Sequence, residues 1–123
     1  MYVEYNPNPK QKVIVGDCVI RAISKATGMT WTETLLELTY QGMLLGDLPN
    51  ANHVWASYLK KIGYKRYVIP DTCPDCYTVR DFCTDHPKGT FILATGSHVV
   101  VIDGNYYDAW NSGQEVVSIY FER

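Results

Sequence analysis

Past Thr90 the chain changes character. Thr90–Thr95, Ser97–Asp103, Asn105–Trp110 and Glu115–Phe121 are rich in Val, Ile, Phe and Tyr, and Gly-containing turns break them apart. That is the pattern of consecutive antiparallel strands. The chain before Thr90 is mostly patterned at helical spacing. Helices first and a sheet second predict an α+β domain, with N-terminal helices packed on a C-terminal antiparallel sheet. The 123 residues carry no repeat and no dividing linker, so residues 1–123 read as one domain, long enough to bury a core without staples.

The helical part begins after an Asn/Pro-rich stretch. Asn6-Pro7-Asn8-Pro9 disfavours helix at the residue before each proline, so residues 1–17 read as an extended arm. Within it Val13-Ile14-Val15 is a short apolar run, strand or packed coil. Val19, Ile20, Ala22, Ile23 and Ala26 then form a helical stripe, with Asp17 placed to cap its start and Gly28 its end. A second helix opens on a Thr30/Glu33 capping box, and residues 41–51, with two glycines and a proline, read as a loop. A third runs from Asn52 to Ile62, ending at Gly63. Lys65–Ile69 reads as a strand, and a short fourth helix spans Val79–His86, capped by Thr78 and stopped by Pro87.

The charge balance narrows function. A net charge of −2, from 11 basic and 13 acidic residues, leaves no basic footprint for nucleic acid and no polybasic membrane patch. No apolar run approaches the ~20 residues that span a bilayer, and the N-terminus lacks a signal-peptide pattern. The expected setting is a reducing cytoplasm, with the four cysteines mostly as thiols.

One cysteine is placed for chemistry. In Gly16-Asp17-Cys18-Val19-Ile20 the thiol sits at the first turn of a helix, where N–H groups and the helix dipole favour the thiolate. A base is needed, and His98 lies on a β-branched run that can hold a ring firmly. The base in turn needs an orienting acceptor. Asp108 is the natural choice, with Asn111 as the nearby substitute. For His98 and Asp108 to share a face, the hairpin around Asp103-Gly104-Asn105 must have an odd-length loop or a bulge; a two-residue turn would put His98 opposite Ala109.

These residues carry a resemblance. Gly16-Asp17-Cys18 opening a helix, Ser97-His98-Val99-Val100 on a strand, and Tyr107-Asp108-Ala109-Trp110 resemble papain-like cysteine peptidases, especially small bacterial and phage versions similar to the bacteriocin-processing C39 peptidases. The resemblance covers most of the chain by order of elements and is sharp at these three motifs. It implies a papain-like fold, with Cys18 as nucleophile, His98 as base and Asp108 as orienting residue. It implies cleavage of an amide bond, peptide or isopeptide, in a peptide or protein substrate, with no metal or organic cofactor. Deamidation and acyl transfer use the same apparatus. The family places an oxyanion Gln six residues before the Cys; here that position is Lys12. Gln11, one residue further out, is the oxyanion candidate, with Asn8, Asn6 or the Cys18 N–H as substitutes.

The other cysteines offer rival readings. Cys73-Pro74-Asp75-Cys76, followed by Cys83 and His86, has the spacing of a zinc set in a protein-binding module. Cys73/Cys76 alone has the form of a thiol–disulfide oxidoreductase pair. Against zinc, Val79, Phe82, Cys83 and His86 share one helical face, which makes Cys83 a core residue. Trp110 reads as a core aromatic or a lid, His53 as a surface or capping residue, and Tyr106, Tyr107 and Tyr120 as strand residues that could line a groove.

Overall fold

A computed structural model describes residues 1–12 and 15–123; Val13 and Ile14, which belong to the short apolar run, lie outside the described residues. The elements are β1 (Tyr2–Glu4), α1 (Cys18–Thr27), α2 (Trp31–Leu45), α3 (Asn52–Lys61), β2 (Lys65–Val68), α4 (Val79–Asp85), β3 (Thr90–Ala94), β4 (His98–Ile102), β5 (Asn105–Asp108) and β6 (Ile119–Glu122). Among the described residues this is an α+β arrangement of four helices and a six-stranded sheet in the order β1-β5-β4-β3-β6-β2. The sheet is mixed rather than antiparallel: β1, expected as part of an extended arm, pairs in parallel with β5, Val3 opposite Tyr107.

Alternation along the strands builds two cores. Val100, Ile92 and Phe121 face one side, where Val19, Ile23, Leu38, Trp55 and Leu59 from the first three helices cover them. Val99, Val101, Leu93 and Tyr106 face the other side, against Val79 and Phe82 of α4. Both faces are therefore covered, which explains why β3 and β4 read as near-continuous apolar runs. The N-terminal helices pack on the sheet as expected, and α4 adds a layer behind it.

Local signals fixed most helix ends. The Thr30/Glu33 capping box forms, as does a second at Thr78/Asp81, and Gly28 ends α1 at φ 79°, a left-handed conformation that glycine adopts readily. The expected loop over 41–51 was too long, because α2 continues through Gly42 to Leu45. Gly42 is a contact glycine instead: a Cβ there would lie 2.5 Å from the Asp47 carbonyl oxygen. The last strand forms over Ile119–Glu122, not from Glu115.

Candidate active site

The start of α1 is built by a buried polar cluster. Asp17 occupies the N-cap, yet its side chain caps nothing. Its Oδ1 accepts from Arg21 one turn on, and its Oδ2 accepts from Trp31 Nε1 at 2.9 Å. Asp17 and Arg21 are both almost fully buried. The carboxylate that would ordinarily satisfy the first-turn N–H groups is thus held elsewhere. Those N–H groups surround Cys18, the first residue of the helix, and are left for another acceptor.

Cys18, half-buried, lies with Sγ 3.1 Å from His98 Nδ1. The two residues are 80 positions apart and come from α1 and β4, which pack directly on one another. With the thiol donating to Nδ1, the ring carries its own proton on Nε2. The indole of Trp55, on α3, meets the His98 ring edge-on at 4.7 Å and 77° and is itself braced by Phe121. Behind His98, the β3–β4 turn is tied by Glu115: its Oε1 accepts from Thr95 Oγ1 and Ser97 Oγ, and its Oε2 from Trp110 Nε1. The His98 ring is therefore held by its strand, by an aromatic wall and by a cross-linked turn.

The electrostatics differ from the expectation of a depressed thiol. Burial pushes the Cys18 thiol up, and this outweighs the His98 and Val19 amide N–H groups and the Arg21 guanidinium, which pull it down. Burial also holds His98 down at about 4. Each group resists carrying a charge alone, which favours a neutral thiol beside a neutral imidazole.

Asp108 does not meet His98. The hairpin turn is the two-residue Asp103-Gly104, since Ile102 pairs with Asn105 and Val100 with Tyr107. Both turn residues have positive φ, 49° and 79°, as a type I′ turn requires. The expectation of an odd-length loop or bulge fails, and continuing this register places Ala109, not Asp108, opposite His98. At Asp108 the chain is instead held from the β1 side: Tyr5 N–H donates to its carbonyl at 2.8 Å, and the Tyr2 hydroxyl at 3.2 Å. Its carboxylate accepts from Arg21 Nη2 at 3.2 Å and from the Ala109 N–H at 2.7 Å. Burial raises the Asp108 carboxyl above its usual range, against the Ser112 hydroxyl, the Ala109 N–H and Arg21. Asn111 is not the substitute either, because its Oδ1 accepts from the Tyr106 hydroxyl and the Gly113 N–H.

Gln11 is bonded within its own turn. Its Nε2 donates to the Asn8 carbonyl at 3.1 Å, and its residue is exposed in a positive-φ turn. Asn6 Nδ2 donates to Lys12 O, and Asn8 Oδ1 accepts from the Lys10 N–H. Trp110 is not a core residue; it lies partly exposed over Arg21, 5.0 Å from the guanidinium carbon. Tyr106 is a buried core residue behind the sheet, and Lys25 sits over the Tyr107 ring.

The rival thiols are placed apart. Cys73 and Cys76 are joined as a disulfide in an exposed loop, so the expectation that the four cysteines are mostly thiols is corrected to two free thiols, Cys18 and Cys83. Paired sulfurs do not act as thiolate ligands. Cys83 is buried in α4 with its thiol pushed up by burial, and the His86 ring stacks on Phe82 at 3.8 Å. The four proposed ligands therefore form no zinc centre here, and among the described residues no group of three or more His, Cys, Asp or Glu could hold a metal ion.

Two residues of the site were missed in the sequence. Arg21 stands within the helix but outside its apolar stripe, and Asp17 and Arg21 at i,i+4 are a visible ion-pair spacing. Trp55 carries no signal in the sequence beyond its place at helical spacing in the third helix. No family profile, no curated protein and no solved structure matches the chain. No helix among the described residues is long and apolar enough to cross a membrane.

Proposed function

We propose that the chain is a cysteine peptidase-like hydrolase that cleaves an amide bond, with Cys18 as nucleophile and His98 as general base. The observation that carries this reading is the 3.1 Å approach of Cys18 Sγ to His98 Nδ1 at the start of α1. As Sγ attacks the carbonyl carbon, His98 takes the thiol proton. The oxyanion forms beside the first-turn N–H groups of α1, which the diverted Asp17 side chain leaves uncapped. The imidazolium then protonates the leaving amine, and the thioester is resolved by water with His98 as base. No step calls on a metal or organic cofactor. Asp108 enters as a positioning residue: through Arg21 it fixes Asp17, and with it the start of α1. A papain-like fold of the small bacterial and phage kind, similar to C39 peptidases, is the finer reading, supported by the order of the Cys and His motifs and by helices packed on the sheet that carries His98.

The test uses a peptide library made by digesting an unfolded proteome, with new chain ends read by mass spectrometry. Wild-type protein is expected to generate ends that disappear with Cys18→Ala and fall by about 10²–10⁴-fold with His98→Ala. Ends that persist in Cys18→Ala, or a library left at the Cys18→Ala background by wild type, contradict the reading.

A further inference from the structure

A cavity of about 370 Å³ opens beside His98, bounded by Trp55, Ala56, Ser97, Ser118 and Phe121, with Arg66 at its wall. It adjoins a larger one of about 860 Å³ between α3 and the outer strand β2; Ala56, Arg66 and Phe121 line both. The larger cavity adds Lys60 and His53 over an aromatic floor of Tyr64 and Phe121. Among the described residues, neither cavity is lined by a carboxylate. A chain with a net charge of −2 therefore sets two cations, Arg66 and Lys60, along one groove leading to its candidate base.

Register shows which cation faces the groove. Arg66 pairs with Phe121, so both side chains point to the α3 side of the sheet; Lys65 pairs with Glu122 on the opposite face. Asp47 is held by His53. Arg66 itself makes no ion pair or side-chain hydrogen bond among the described residues, and it is exposed. An unpaired guanidinium at the junction of two cavities is suited to a carboxylate.

We propose that this groove binds an acidic peptide segment, with Arg66 as the specificity-determining contact and Lys60 extending the cationic wall. The inference rests on the hydrolase reading, since it assigns that segment to the substrate on one side of the bond that Cys18 attacks. Acidic side chains would lie along the groove while the scissile carbonyl reaches the start of α1. The aromatic floor supplies contact area to the aliphatic parts of the segment.

The experiment measures binding, not turnover. Cys18→Ala protein is titrated into fluorescein-labelled hexaglutamate, hexalysine and a neutral Gly/Ser hexapeptide, read by anisotropy. Hexaglutamate is expected to bind at least about tenfold tighter than the other two. That preference should weaken as salt rises and screening shortens. Arg66→Glu should reduce hexaglutamate affinity by at least about tenfold, because attraction becomes like-charge repulsion. The exposed Lys88→Glu, with the same change in net charge, should leave it within about twofold. Equal binding of the three peptides, no binding of hexaglutamate, or equal losses in Arg66→Glu and Lys88→Glu overturns the proposal. None of these results touches Cys18 reactivity, so the hydrolase reading stands or falls separately.

Discussion

Arg21→Met is expected to lower the unfolding free energy by about 3–5 kcal/mol, the range for breaking a buried ion pair from one side. The guanidinium binds both Asp17 and Asp108, and all three residues are at most 2% exposed. Its removal leaves two carboxylates buried without their cation, and it also takes away the surface that Trp110 covers. A domain of this size has of order 5–15 kcal/mol to lose, so urea unfolding should show an unmistakable fall in midpoint. The deficit should shrink as pH is lowered, because the stranded carboxyls then protonate and no longer need a partner. A loss below about 1 kcal/mol at pH 7 would show that the cluster does not organise the start of α1.

His98 is expected to make stability fall as the solution is acidified. Its folded pKa, about 4, lies below the ordinary 6.5, so between those values the unfolded chain binds a proton that the folded chain refuses. Stability is fully present above about pH 6.5 and is lost as pH falls toward 4, by roughly 3 kcal/mol. Asp108 runs the other way: its raised carboxyl takes up a proton more readily in the folded state, so that group favours folding as pH falls. The His98 contribution is therefore read as the difference between wild type and His98→Gln in unfolding experiments from pH 7.5 to 4. The wild-type curve should fall more steeply through that window. Parallel curves would mean that His98 is not buried as a neutral ring.

The sequence made legible what local chemistry decides. Thr30 with Glu33, Thr78 with its acidic N3 partner, and Gly28 past the last apolar residue of α1 all signal helix ends within a few positions. The alternating Val99, Val100 and Val101 predict a strand, and covering both faces took the packing of α4. What failed was long-range or depended on register. Three residues, Tyr2–Glu4, cannot announce a parallel pairing with a strand a hundred positions away. Gly42 reads as a stop until Asp47 is seen folded back on it. The Cys18/His98 pair was legible because a helix start and a strand start each fix one side chain. Asp108 was misassigned by a single residue of hairpin register, since an Asp-Gly pair favours the two-residue turn. Arg21, the residue that does hold Asp108, had only its i,i+4 spacing to Asp17 to give it away.

The central claim is that His98 activates Cys18, and alkylation by iodoacetamide tests it most directly, mapped by peptide mass spectrometry across pH 5.5–9.5. Cys18 should be modified first in wild type, ahead of the buried Cys83, with a rate that climbs with pH and shows no acidic plateau, as a neutral thiol–imidazole pair requires. His98→Ala should slow Cys18 by at least about tenfold near pH 7 and converge on wild type at high pH, where the thiol ionises unaided. Modification of Cys83 before Cys18, or a Cys18 rate that His98→Ala leaves unchanged at pH 7, would contradict the account.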